Sequence, residues 1–155
     1  MGGVHFSIDG IDQVQSTFNG LTMDIALSVK KQINLGALRI QKDAVKSVKA
    51  VSPGESYTRK GKPMVRSVPG SAPNIMDGNL WKNIVVTTGT GIISKQYFAL
   101  VRSRMKYSSW LENGTMKMKA RPFMKPAFNK HKAKIMKRIV QAVNGTLPKT
   151  KKRKK

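Results

Sequence analysis

The sequence predicts an α+β fold, in which a long N-terminal helix and a C-terminal helix pack on a small antiparallel β-sheet. Three patterns predict it. Apolar residues recur three and four apart from Ile11 to Val48, two β-rich runs occupy 81–88 and 97–103, and a second helical periodicity runs from Phe128 to Val143. The chain has 155 residues, and at that size roughly 70% of the unfolded surface can be buried around one core. The expected organisation is therefore a single domain over 1–145, followed by a disordered basic tail over 146–155.

The first helix starts at Ile11, with Asp9 as a plausible N-cap and Asp12 favourable in the first turn. Its stripe runs Ile11, Val14, Phe18, Leu21, Ile25, and then Val29, Ile33, Ala37, Ile40, Ala44, Val48 at spacings mostly of four. Such spacing rotates the stripe around the helix, so either its halves face different neighbours or a bend falls near Asn34-Leu35-Gly36. Lys30, Lys31, Lys42, Lys46 and Lys49 read as a solvated face. Ser52-Pro53-Gly54 ends the helix.

Residues 53–76 are rich in Pro, Gly and Ser and carry Arg59, Lys60, Lys62 and Arg66. Two readings compete: a small hairpin pairing Tyr57-Thr58-Arg59 with Pro63-Met64-Val65-Arg66, or a mobile basic loop that orders on assembly, the favoured one. A turn at Asp77-Gly78-Asn79-Leu80 leads into the β-rich run Trp81 to Thr88, broken by Gly89-Thr90-Gly91. No phosphate-loop context surrounds that Gly-x-Gly, so it reads as a hairpin turn. Tyr97 to Ser103 is its partner strand, with Val85 and Val101 as core candidates.

The most unusual stretch is Tyr107 to Phe128, which holds two tryptophan- or tyrosine-type aromatics, a lone acid, a Gly-Thr turn and two prolines between basic residues. Asn113-Gly114 ends a short helix carrying Tyr107, Trp110 and Leu111. Pro122 and Pro126 remove backbone donors, so 118–125 should run extended and the last helix should begin near Pro126. Phe128, Ile135, Ile139, Ala142 and Val143 line one face of that helix, and Asn144-Gly145 closes it.

Charge sets the partners. The net charge is +23, from 30 Lys and Arg against 7 Asp and Glu; 18 of the bases but only one acid, Glu112, lie beyond residue 100. Such an excess repels itself, so nucleic acid or an acidic protein surface is the expected partner. Cysteine is absent and only His5 and His131 are present, so no thiolate site, zinc site or other cofactor is expected. No apolar run reaches the eighteen or so residues that cross a bilayer. A secretory leader is not evident, and Phe6 occupies the position where a myristoylation signal has Ser or Thr, so no membrane association is expected.

Tyr107-x-x-Trp110-Leu111-Glu112-x-Gly114-Thr115, followed by Ala120-Arg121-Pro122-Phe123-Met124-x-Pro126-Ala127, resembles the tail-component family of long-tailed bacteriophages. The likeness spans about residues 10–143, with Asp77 to Ile84 as a weaker second anchor. The family's Ala-Pro-x-Asp-Thr-Gly-x-Leu run directly after the first helix is here displaced by the basic segment and lacks its threonine, and the KKRKK ending lies outside the family pattern. The resemblance implies a structural virion protein of the neck or head-proximal tail, made in the host cytoplasm and active in tail completion or head-to-tail joining. It further implies a homo-oligomeric ring around the DNA channel, with head-closure, tail-terminator or tail-tube rings as partners and genomic DNA within reach. No catalysis is implied.

Within this reading Tyr107, Trp110, Leu111, Glu112, Gly114, Thr115, Arg121, Pro122, Phe123 and Pro126 form a structural joint. Glu112 should be satisfied by a basic side chain or by backbone donors, with the turn at Gly114-Thr115 or Arg121 as its expected partner. An enzymatic reading finds little support, because Asp43, Asp77 and Glu112 share no motif spacing. Tyr107, Trp110 and Phe123 read as core or interface anchors ahead of base-stacking platforms. Met116, Met118 and Met124 read as core filling or an adaptable contact surface. Arg59, Lys60, Lys62, Arg66, Lys151, Lys152, Arg153, Lys154 and Lys155 are the candidate contacts to DNA or an acidic partner. The competing class, resting on charge alone, is a free-standing, non-specific nucleic-acid-binding protein.

Overall fold

The computed structural model describes residues 23–76, 78–90 and 97–145. In chain order the elements are α1 (Met23–Lys49), β1 (Gly54–Arg59), β2 (Lys62–Ser67), α2 (Asn79–Lys82), β3 (Ile84–Thr90), β4 (Tyr97–Ser103), α3 (Ser108–Asn113) and α4 (Met124–Val143). The expected architecture is present: two long helices and small antiparallel pairing. Residues 1–22, with the proposed helix start at Ile11 and its Asp9 cap, and the tail 146–155 lie outside the described residues.

Helix α1 is the element that the others share. α4 runs along it on one side, and β3 and β4 pack on it as well. The spacing of four explains how, because the drift of the stripe gives α1 buried positions toward both neighbours. Val29, Ala37, Ile40, Ala44 and Val48 are buried in one core with Ile84, Val101, Phe123, Met124, Phe128, Ile135 and Ile139. Each large side chain so buried stabilises the fold by about 1.5–3 kcal/mol relative to exposure.

No break interrupts α1 at Asn34-Leu35-Gly36. The glycine is there for another reason: a Cβ on Gly36 would sit 2.9 Å from the Cδ1 and Cγ1 atoms of Ile135. Its missing side chain lets α4 approach α1 closely. Next to this crossing, Asp43 Oδ2 lies 2.7 Å from Lys130 Nζ and 2.9 Å from His131 Nε2, joining the two helices by charge. The neighbouring Asn34 Oδ1 accepts the Tyr97 hydroxyl at 2.7 Å, and Gln41 Nε2 donates to Ile84 O at 2.7 Å, so α1 also ties to both strands of its sheet.

Three local expectations are corrected. Trp81, Lys82 and Asn83 are not strand: Asn79–Lys82 forms one helical turn after Gly78 at φ 71°, and Asn83 closes it through Nδ2 to Asn79 O at 2.8 Å. Val85 is not a core residue, because the pleat sends Ile84 and Val86 toward α1 and Val85 to the other face. Gly89 is not a turn residue; it pairs with Phe98, whose ring would lie 3.0 Å from a Cβ at that position. The connection between β3 and β4, residues 91–96, lies outside the described residues.

Residues 54–67 form a hairpin, with register Gly54↔Ser67 through Arg59↔Lys62. Of the two readings of this basic segment the structure has the ribbon, and the favoured irregular loop is corrected over these residues. The reason is local: Lys60 and Gly61 take φ values of 51° and 71°, which gives the two-residue turn whose twist matches paired strands. Asn74 then fastens the base. Its Oδ1 accepts Ser52 N–H at 2.6 Å while its Nδ2 donates to Ser52 O at 2.9 Å and Val65 O at 3.0 Å.

Candidate functional site

The joint after β4 is built around α3. Ser103 Oγ accepts Met105 N–H at 3.2 Å, and the fully buried Ser108 donates its hydroxyl to Met105 O at 2.7 Å, so the chain turns sharply into the helix. Tyr107 caps α3 from a half-buried position, its carbonyl accepting Leu111 N–H at 3.1 Å. Gly114 ends the helix at φ 79°, where a Cβ would lie 2.8 Å from Met118 O. A tight Thr115–Met118 bridge follows, with Thr115 N–H donating to Met118 O at 2.7 Å. The returning segment then locks on: Arg121 N–H donates to Leu111 O at 2.6 Å.

Glu112 is 5% exposed, and neither expected partner holds it. Its Oε2 accepts the N–H groups of Phe123 and Met124, both at 2.9 Å, and its Oε1 accepts that of Lys125 at 2.7 Å. These are the opening donors of α4. An α-helix leaves its first four N–H groups without partners in the helix, and the fourth here belongs to Pro126, which has none. The donor count at this end therefore closes. No acid occupies the first turn of α4, so the carboxylate that complements the positive end of the helix dipole arrives from α3.

Arg121 is freed from Glu112 for another task. Its Nε donates to Ser67 O at 2.9 Å, and Gly70 N–H donates to Ala120 O at 2.9 Å, so the joint holds the foot of the β1–β2 ribbon. The two sets of residues singled out in the sequence thus meet at the ribbon's base, where Arg66 neighbours Ser67, while Arg59, Lys60 and Lys62 sit at its tip. Lys151, Lys152, Arg153, Lys154 and Lys155 lie outside the described residues.

The aromatics and methionines divide by burial. Phe123 and Met124 are 1% exposed and serve the core, whereas Trp110 is 57% exposed and Met116 stands wholly in solvent. Core packing is thereby corrected for Trp110 and Met116. Pro122 is half-buried and Pro126 exposed.

No protein family, curated protein or solved structure compared with this chain matches it.

What the arrangement can do is therefore read from geometry. Both oxygens of Glu112 are committed to main-chain donors, which suits a mechanical tie and ill suits proton transfer. Asp43 is held below the usual carboxylate range, chiefly by its hydrogen bond from Lys130, with burial opposing and His131 assisting; it joins α1 to α4. Among the described residues no group of three His, Asp or Glu side chains is placed to hold a metal ion, and no helix is long and apolar enough to cross a membrane.

A surface feature that the sequence did not signal lies beside the ribbon's base. Val51, Val65, Val68, Ile75 and Met76 are all exposed large apolar residues within a short span of chain. A hollow of about 230 Å³ is lined by Val51, Pro63, Met64, Val65 and Ile75 together with Lys49 and Asn74. Their separation in sequence from 51 to 76 hides the cluster until the hairpin folds it together.

Proposed function

We propose that this chain is a structural protein of a long-tailed phage virion, a neck or tail-completion component that joins tail to head within a ring around the DNA channel. The observation that carries the reading is the joint. The residues that resemble the tail-component family, Tyr107 to Thr115 and Ala120 to Ala127, close on each other through Glu112 and present no reacting group. They work as one rigid connection between sheet and helix. The apolar cluster around Val51, Val65, Ile75 and Met76 supports assembly, since contiguous exposed apolar surface marks sites that a partner covers.

Native mass spectrometry of the purified chain with electron microscopy of assembled tails tests the proposal. Density for a ring of this chain at the head-proximal end is the expected result, and its absence from joining-competent particles removes the reading. The high net charge favours one second reading, a free-standing nucleic-acid-binding protein. That rival requires tight binding that survives removal of 146–155, whereas an assembly protein with a basic appendage should bind weakly, with a steep salt dependence that falls on truncation.

A further inference from the structure

The β1–β2 ribbon contributes almost nothing to the core. Both strands are exposed over most of their length, and beyond their own pairing they make few contacts with the helices or the other sheet. An isolated two-stranded hairpin is marginal in water, so a ribbon held out from the body at its base is suited to be completed by something else.

Its side chains sort by face. The register pairs Glu55 with Arg66, Tyr57 with Met64 and Arg59 with Lys62, and alternation along a strand puts these six on one side. Gly54, Ser56, Thr58, Pro63, Val65 and Ser67 take the other. One face is thus cationic and the opposite face neutral. Arg66 lies 5.1 Å from the centre of the Tyr57 ring, which props the guanidinium on that face. Glu55 is the one acid on that face, against Arg59, Lys62 and Arg66, and among the described residues the recorded ion pairs are those of Asp43, so the ribbon keeps a net positive charge.

The tip adds an independent sign. Lys60 is the one non-glycine residue at positive φ among the described residues. Asn, Asp or Gly is favoured at that turn position, and a lysine there weakens the turn. A charge kept at the tip at the expense of local stability points to use of that charge.

We propose that the ribbon is an arm that grips the phosphate backbone of duplex DNA through Lys60, Lys62, Arg59 and Arg66. Lys62 and Arg66 lie four residues apart on β2, about 13 Å along the strand, close to the roughly 12 Å width of the major groove, which admits a two-stranded ribbon. The cationic face therefore reaches phosphates on both sides of a groove. A protein partner fits less well, because protein interfaces centre on desolvated apolar anchors, and the two large apolar side chains on this face, Tyr57 and Met64, are half-buried against each other while the cations around them are exposed. The inference stands on the ribbon alone and holds whether or not the chain sits in a virion.

The test is the double variant Lys60→Asn/Lys62→Thr in the full chain. Asn suits the turn and Thr suits the strand, so the fold should be kept, as an undiminished thermal midpoint would verify. Affinity for a short mixed-sequence DNA duplex is measured across NaCl concentrations, beside a control variant, Lys132→Gln/Lys134→Gln, on the exposed face of α4. The ribbon variant should bind several-fold more weakly at low salt, and its plot of log K against log salt should be shallower by about 2. The control should change the slope much less. An unchanged slope in the ribbon variant, or an equal change in both variants, overturns the proposal. So does a larger loss of affinity for polyglutamate than for the duplex, which would assign the arm to an acidic protein.

Discussion

Truncating Glu112 to alanine strands three main-chain N–H groups in a buried site, because Phe123, Met124 and Lys125 have no other acceptor there. A hydrogen bond to a charged group contributes about 1.5–3 kcal/mol, and the donors are shared by one carboxylate, so Glu112→Ala should destabilise the fold by roughly 3 kcal/mol or more. Glu112→Gln keeps one acceptor and should cost less. Urea unfolding midpoints of the two variants check the order, and equal midpoints would show that the cap matters less than its burial suggests. At Gly36 two effects oppose. Alanine improves helix propensity by about 1 kcal/mol, while a Cβ 2.9 Å from Ile135 overpacks the crossing at a cost of about 1–3 kcal/mol. Gly36→Ala should therefore be net destabilising, and adding Ile135→Val, which removes the clashing Cδ1, should recover part of the loss in a double-mutant cycle. Asp43 supplies a pH signature. Its folded pKa lies below the ordinary 3.8, chiefly through the Lys130 hydrogen bond. The carboxylate therefore contributes stability above that ordinary value and loses it as pH falls through the lower folded value. The contribution is at most about 1 kcal/mol, because Lys130 is largely exposed. Wild type should thus exceed Asp43→Asn in urea midpoint at neutral pH, and the gap should close as the pH falls below the ordinary carboxylate value of 3.8.

At the scale of elements, the ribbon and its staple behave as one unit. Asn74→Ala removes three hydrogen bonds that hold the ribbon's foot, each worth about 1 kcal/mol net. The ribbon should then open locally while the α1–α4 core stays closed. Trypsin, which cuts after Arg59 and Lys60 but not at Lys62-Pro63, should nick the tip of the variant faster, with hydrogen exchange in α1 and α4 unchanged; uniform acceleration everywhere would mean the staple supports the whole domain. What the sequence revealed of these elements follows from how each is encoded. Helices α1, α3 and α4, strand β4 and the Gly114 and Gly145 ends were legible because periodicity and glycine placement are local signals, whereas the single turn α2 was read as strand. Helix α4 begins at Met124, two residues before Pro126, because the proline fits the first turn. The ribbon was half legible, since Lys60 hides a turn that Asn would have announced. Glu112 was recognised as needing partners, yet the identity of those partners depends on how α3 lies against α4. Asn74 and Ser108 gave no signal, and Gly36 suggested a bend instead of a close helix crossing, because each acts on a neighbour that only the fold brings near.

For the whole molecule the question is whether charge works against the fold. The chain carries +23, and α4 has six Lys and Arg with no acid of its own sequence. Folding gathers these charges, so repulsion is greater in the native state than in the expanded chain. Two attractive contacts oppose it. The Glu112 cap is buried and weakly screened, and the Asp43 pair is worth little at a partly exposed site. Neither should reverse the sign. Raising NaCl shortens the screening length from about 30 Å at 0.01 M to about 10 Å at 0.1 M, which removes long-range repulsion first. The thermal midpoint should therefore rise over this range, and short duplex DNA at low salt should raise it further, by linkage, in proportion to the logarithm of its concentration above Kd. The Lys60→Asn/Lys62→Thr variant should gain as much from NaCl as the wild type, less the small share of two charges, but gain less from DNA. A midpoint that falls with salt would mean that native contacts outweigh the repulsion, and would require attractive pairs elsewhere in the chain.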